Sequence, residues 1–529
     1  MSRAGIHVLL NRDERYDKLL TATDFLRERL NEIRLARARA GLPNKQPDLA
    51  DIEKTHTIYT RTTYKPYVAV ASEYTRVNAY GDGTSSLGAS GGSVQFRLPT
   101  TGHFTSDIAV RVRFPAIGTA TPNIRVDPAP LTPQDSLRYR YATYPGIRLL
   151  KLVEFRSGET LLASYARDDY AAYSKIFIST DYYAGFDRCL GQQEHKEAIF
   201  FNPNGFTQGM TYYDGPQTPK FLQPELEMWI PLQFWFCTDP SQALLNDLIP
   251  NTQRTITLEL APLAEIVQAY TQGDASSALP DDLDGGAAAP LPFSRLALDI
   301  SLYVNGLYVN PEMHDVFASR IGFQLTRVWR NHVCPLQNPS DSILLNQLKF
   351  PAEWLIAGVR SPQNTRDPDD WYFMGQEPAP VAPPQALSVP AAIWNPATMA
   401  TEIVVRTAAT ATTLVPMIDA LGVTIRGITV FQTVGLGFYN AYIPMRYFVG
   451  TVNVAPGDTS CWLIPFCLYP GQRSGAPSGY FNLSTDREMY LTYTGTQISP
   501  QNPAELVILM SALNFLLRKG DAVVMRYAL

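Results

Sequence analysis

From about Thr57 onward, apolar residues in this 529-residue chain recur at every second position, the period of a strand with one buried face. Val94, Phe96 and Leu98 alternate with polar neighbours, and so do Ile108, Val110, Val112 and Phe114. Ile256, Leu258 and Leu260 alternate with Thr255, Thr257 and Glu259. The longest run is Leu296, Leu298, Ile300, Leu302 and Val304. Asn305-Gly306 follows it and predicts a type I′ hairpin turn, with the chain returning through Leu307 and Val309. Trp229–Cys237 is apolar and aromatic enough to predict a buried strand. Asp239-Pro240 then suits the N-cap and first position of a helix that Pro250 closes.

One long helix is predicted over residues 21–42. Thr21 and Asp24 form a capping box, Leu26, Leu30 and Ile33 share a face, and Gly41 with Pro43 ends it. Thr271–Pro292 is of low complexity and reads as a linker. The second half repeats the plan of the first. Cys461–Cys467 echoes Trp229–Cys237; Trp229 precedes Thr255 by 26 residues, and Trp462 precedes Met489 by 27. This pattern predicts an arm with a helix (1–50), a β-domain (51–270), the linker (271–292) and a second β-domain (293–529). Gln376–Pro396, rich in Pro and Ala, predicts a long exposed loop. A turn at Arg518–Asp521 closes the chain as a hairpin.

Composition sharpens this picture. With 34 Gly and 41 Pro between strand-like runs, the chain has the punctuation of an all-β protein. β-Sandwich domains of roughly 200–250 residues fit its length twice. The balance of 44 basic and 49 acidic residues excludes a protein that wraps a genome by charge, so no direct genome binding is expected. Five cysteines without a CxxC spacing predict free thiols in a reducing compartment. The first residues lack the apolar core and cleavage site of a signal peptide. Ala504–Leu517, interrupted by Glu505, Ser511 and Asn514, is too short to cross a bilayer, and the chain is expected to be soluble.

Candidate chemistry is sparse. The six histidines show no HxH or HExxH spacing; His103 with Asp107 and His314 with Asp315 are the nearest acid–base neighbours. Ser478 lies in GAPSG rather than in a nucleophile elbow, and Gly81-Asp82-Gly83 lacks the third glycine of a dinucleotide site. Asp281, Asp282 and Asp284 lack the closing glutamate of a calcium loop. Asn482-Leu483-Ser484 is a formal glycosylation sequon. No catalytic, cofactor-binding or metal-binding residues are expected.

Gly215–Leu260, with Pro219, Pro224 and Pro231 at its strand edges, carries a resemblance to a known family. Ile52–Val77, Tyr144–Arg148, Leu302–Val328, Pro477–Tyr490 and Ser511–Tyr527 extend it in the same order along the chain. Together they resemble the double jelly-roll major capsid proteins of the nucleocytoplasmic large DNA viruses. The resemblance implies an all-β fold of two consecutive eight-stranded jelly rolls with long inter-strand loops. It also implies a structural, non-enzymatic protein of the virion, assembled in host cytoplasm. Its partners would be a homotrimer of pseudo-hexagonal outline, neighbouring capsomers, minor capsid proteins and an inner membrane. Within the helix, Arg27, Arg29, Arg34, Arg37 and Arg39 outweigh Asp24, Glu28 and Glu32. This is either a solvated face or a basic contact, with Arg27, Arg34, Arg37 and Arg39 the candidate residues of an inner-face contact. The alternative readings are a carbohydrate-binding or glycan-cleaving β-sandwich protein, and a minor vertex or spike protein of a similar virus.

Overall fold

The computed structural model describes residues 31, 32, 34–41 and 70–526, the last span without 81–83, 119–136, 193–195, 202–206, 213–218, 250–253, 272–287, 316–322, 379–385, 396–399, 411–413, 448–460, 472–476, 484–487 and some one- or two-residue stretches. Eight strands build the two main sheets of the first half. They are β1 (Val70–Asn78), β2 (Gly92–Arg97), β3 (Phe104–Phe114), β4 (Leu150–Ser157), β5 (Thr160–Ala166), β6 (Leu226–Pro231), β7 (Arg254–Leu260) and β8 (Arg295–Val309). All pair antiparallel, in the orders β1-β8-β3-β6 and β2-β7-β4-β5.

Eight more build the two main sheets of the second half. They are β9 (Phe323–Leu336), β10 (Ser340–Leu344), β11 (Pro351–Arg360), β12 (Ala420–Ile425), β13 (Ile428–Gly435), β14 (Cys461–Pro465), β15 (Met489–Thr494) and β16 (Ala504–Lys519). Their orders are β9-β16-β11-β14 and β10-β15-β12-β13. Adding eight to each label of the first half gives the second. Each half is therefore an eight-stranded jelly roll of two packed sheets.

The period-two pattern explains the cores. Ile108, Val110, Val112 and Phe114 of β3 are buried, while Arg111 and Arg113 between them face outward. Ile256, Leu258 and Leu260 of β7 are buried in the same alternation. The final hairpin forms as expected, with Leu516–Lys519 pairing Ala522–Met525.

Five local expectations are corrected. Asn305-Gly306 is a bulge inside the continuous strand β8, whose register against β3 shifts between Val304 and Gly306. A Cβ on Gly306 would sit 3.0 Å from the Thr101 carbonyl oxygen, so close backbone approach, not a turn, requires this glycine. Because β8 lies between β1 and β3, residues 295–309 complete the first roll rather than open the second. Ala288–Ala289, within the expected linker, also pairs back onto Val267–Thr271 of the first half. The next main-sheet strand described beyond Val309, β9, pairs within the second roll.

Trp229–Cys237 is not one strand. β6 ends at Pro231, and Trp235–Thr238 forms a helical turn that packs Trp235 and Phe236 on Phe155. Asp239 does cap the next turn, accepting from the Ser241 N–H at 2.8 Å, but that turn is only Pro240–Gln242. Leu244–Leu245 pairs with Phe104 and Thr105 of β3, which draws the chain out of helix. Pro250 lies outside the described residues. Finally, Gln376–Pro396 is no loop throughout: Ala386–Asn395 pairs with Ala400–Thr410 as a two-stranded ribbon. Pro390 is tolerated there because both strands of such a ribbon are edges.

Of the long N-terminal helix, the structure describes its last turns, ending at Gly41 with φ +65°. That is the left-handed stop expected of a glycine C-cap.

Candidate assembly surfaces

The two rolls meet along a seam that buries both faces of β16, β11 and β14 in the sheet β9-β16-β11-β14. Every residue of β11 is buried. Leu355, Ala357 and Val359 pack in the second roll's own core, whereas Trp354 and Ile356 belong to the core of the first. On β14, Trp462 and Ile464 face inward and Leu463 faces the first roll. This double burial explains why β11 and β16 are rich in apolar residues on both faces; Ala504–Leu517 is a core strand.

The first roll supplies β5, the helix α1 (Arg167–Phe177) that follows it, and the turn at Gln242. Trp329 of β9 lies 5.3 Å from the Tyr165 ring and 4.8 Å from that of Tyr173, and Phe177 lies 4.7 Å from Trp354. Arg327 holds Glu353 through two hydrogen bonds of 2.7 and 3.1 Å and donates a third to Gln242 at 2.9 Å. Arg360 pairs with Asp168 at 2.8 Å and with Glu505 at 3.2 Å. Trp371 donates to the Thr143 carbonyl at 2.7 Å.

Among the described residues, nothing covers the corresponding surfaces on the far sides. On the first roll, the outer face of β1-β8-β3-β6 exposes Val70, Tyr74 and Trp229. Trp229, expected in a core strand, is 37% exposed there and tilts against Tyr303 at 4.8 Å. The ion pairs Arg111–Glu227 and Arg113–Glu225 cross this face, and Arg76 and Arg111 reach Asp299. Tyr74 donates to Asp107 at 2.9 Å; burial, then the neighbouring carboxylate, pushes its pKa up to about 12.

On the second roll, β13 exposes Ile428, Val430 and Val434. The helical stretch after it, Phe438–Tyr442 continued by Ile443–Tyr447, exposes Phe438, Tyr442, Met445 and Tyr447. This stretch follows β13 as α1 follows β5.

The candidate chemical residues do not assemble into a centre. His103 accepts the Val309 N–H at 3.0 Å instead of meeting Asp107. Its ring stacks 4.3 Å from that of His314, and burial, followed by this neighbour, lowers its pKa. His314 lies 3.0 Å from Asp247 and 3.5 Å from Asp315. Ser478 accepts from the Tyr469 N–H. Gly81–Gly83 and Asp281–Asp284 lie outside the described residues. Among the described residues, no three His, Cys, Asp or Glu side chains are grouped to hold a metal, and no helix is long and apolar enough to cross a membrane. All five thiols are free; Cys461 is buried, while Cys237 and Cys467, expected in the core, are only partly so. Arg34 and Arg39 are exposed on the N-terminal helix, Arg37 is partly so, and Leu35 beside them is exposed too. Arg27 and Arg29 lie outside the described residues.

Fold and surfaces together define a double jelly-roll structural protein. The chain aligns over its full length with the major capsid protein of African swine fever virus, 26% identical over 654 positions and covering all of both chains. The hexon protein of another strain of that virus matches equally well. Among solved structures, the Faustovirus major capsid protein superposes with a TM-score of 0.63 at 26% identity, covering 95% of this chain and all of the other. The PBCV-1 virus capsid gives 0.56 at 18% identity, over 89% and 99% of the two chains. No protein-family model matches. The chain is similar over its whole length to the double jelly-roll major capsid proteins of large icosahedral DNA viruses, and its role is that of a structural, non-enzymatic capsid protein.

Proposed function

We propose that three copies close head to tail into a pseudo-hexagonal capsomer, and that such capsomers tile the icosahedral shell. One observation supports this reading: among the described residues, each roll leaves uncovered the counterpart of one side of the seam within the chain. Inside one copy, the outer face of the second roll's β9-β16-β11-β14 sheet packs on the strand β5 and helix α1 of the first. The equivalent sheet face of the first roll is uncovered, and so are the equivalent strand β13 and helical stretch 438–447 of the second. Placing the second roll of one copy on the first roll of the next repeats the same contact. Heterologous contacts of this kind stop growing only when the ring closes. The sheet face suits a neighbour: its charges are paired off, and its remaining groups are the Trp, Tyr and Arg enriched at interfaces.

Native mass spectrometry of the purified protein tests this directly. A mass of three chains supports the reading, and a folded monomer at micromolar concentration contradicts it.

Assembly would take place in host cytoplasm, where the five free thiols stay reduced. Neighbouring capsomers, minor capsid proteins and an inner membrane would complete the partners. The arginine-bearing N-terminal helix is our candidate for contact with that inner layer, because Arg34, Arg39 and Leu35 are exposed together.

A further inference from the structure

The charge of Asp169 is the one placed least comfortably in the seam. It occupies the third position of α1, and its Oδ2 accepts the Ala166 N–H at 2.8 Å, tying down the helix start. The same Oδ2 accepts from the Asn331 side-chain amide of β9 at 3.0 Å, so one oxygen joins the two jelly rolls. Oδ1 is buried and has no partner, and the residue is 1% exposed. Its neighbour Asp168 takes the seam's guanidinium, Arg360. Asp169 is left with two neutral donors.

We propose that Asp169 is a proton-operated fastener of the seam: protonated on Oδ1 it holds the two rolls together, and ionised it loosens them. A proton on Oδ1 leaves both hydrogen bonds to Oδ2 intact and removes a buried charge that no cation neutralises. The charged groups on the packed elements do not reverse this. Arg360 is engaged by Asp168 and Glu505, Arg327 is held by Glu353, and Arg148 lies over Trp371 at 5.5 Å. Asp168 adds like charge. Arg330 and His332 flank Asn331 but have the opposite strand parity, Arg330 over Phe350 and His332 against Gln347.

Burial is the largest influence on the Asp169 carboxyl and raises its pKa to about 7, with Asp168 adding to it against the two hydrogen bonds and Arg360. Ionisation in the fold is therefore disfavoured relative to an ordinary carboxylate. The sign follows from linkage: a raised carboxyl pKa favours the folded state at low pH, and that advantage is lost as pH rises from about 4 through about 7. Acid therefore tightens this seam. The inference concerns contacts inside one chain and stands whether or not copies assemble.

The test is thermal unfolding of wild type and Asp169→Asn between about pH 5 and about pH 8. Asp187 is a second buried carboxyl raised, to about 6, again mainly by burial, so both proteins also carry Asp187→Asn. The expected result is a melting temperature that falls with rising pH in the Asp169 protein and falls much less in Asp169→Asn. Equal pH dependence in the two would overturn the proposal. Should Asp169→Asn not fold, infrared difference spectra of the Asp187→Asn protein decide the matter. A protonated-carboxyl band that disappears near neutral pH supports the fastener, and its absence overturns it.

Discussion

Trp229 and Leu463 occupy the same place in the two jelly rolls. Each stands two residues before the proline, Pro231 or Pro465, that ends its strand, and each points away from its own core. Leu463 is buried against the first roll, whereas Trp229 remains 37% exposed. The difference between them is a partner, which in the proposed ring a second copy of the chain would supply.

If Trp229 fills an interface, truncating it weakens assembly without unfolding the roll. Trp229→Ala is expected to raise the dissociation constant of the capsomer about tenfold or more, the effect of losing a central aromatic anchor. Met445→Asp, on the opposing surface, should do the same. Analytical ultracentrifugation checks the association, and circular dichroism checks that the fold is kept.

The bulge at Gly306 is expected to resist even one added methyl group. Gly306→Ala places a Cβ 3.0 Å from the Thr101 carbonyl oxygen, between paired backbones that cannot easily yield. A cost of about 1–3 kcal/mol follows from overpacking, read as a lowered denaturation midpoint.

The Arg327–Glu353 pair should show the asymmetry of buried ions. Arg327→Met leaves Glu353, 4% exposed, without its guanidinium and should cost about 3–5 kcal/mol. Adding Glu353→Met should recover much of that loss. Chemical denaturation of both single variants and the double variant measures the coupling.

On the N-terminal helix, charge reversal at Arg34, Arg37 and Arg39 should leave the capsomer folded while weakening its attachment to the layer beneath. Each arginine contributes about 1 kcal/mol at an anionic surface. Co-sedimentation with anionic vesicles, which salt should weaken, gives the readout. Unchanged binding by the reversed variant would leave a solvated helix face.

Much of the fold was legible because each core strand has one face buried at period two, as in 104–114 and 254–260. The echo between Trp229–Cys237 and Cys461–Cys467 found the equivalent strands but slipped by one residue: Trp462 faces its own core, and Leu463 is the counterpart of Trp229. At period two, a slip of one exchanges inside for outside. Asn305-Gly306 misled because a tight turn and a bulge ask for the same residue, and only the pairing of β8 with both β1 and β3 separates them. The Thr271–Pro292 stretch looked like a boundary although β8, beyond it, closes the first roll through contacts more than 180 residues distant, as between Ile300 and Val112. The assembly surfaces were least legible. The apolar residues of β5 and β13 read alike, and whether they are covered depends on a neighbour that local pattern does not reveal.

Ring closure is tested most directly by tethering the two uncovered surfaces. Cysteines replacing Tyr303 on the sheet face and Met445 on the helical stretch, in a background with Cys189 replaced by Ser, are joined by a short bifunctional maleimide. A closed ring of three predicts a ladder of crosslinked chains that ends at the trimer, with cysteines on both surfaces consumed together. Crosslinks confined within single chains, or a ladder that runs on beyond three, would contradict head-to-tail closure.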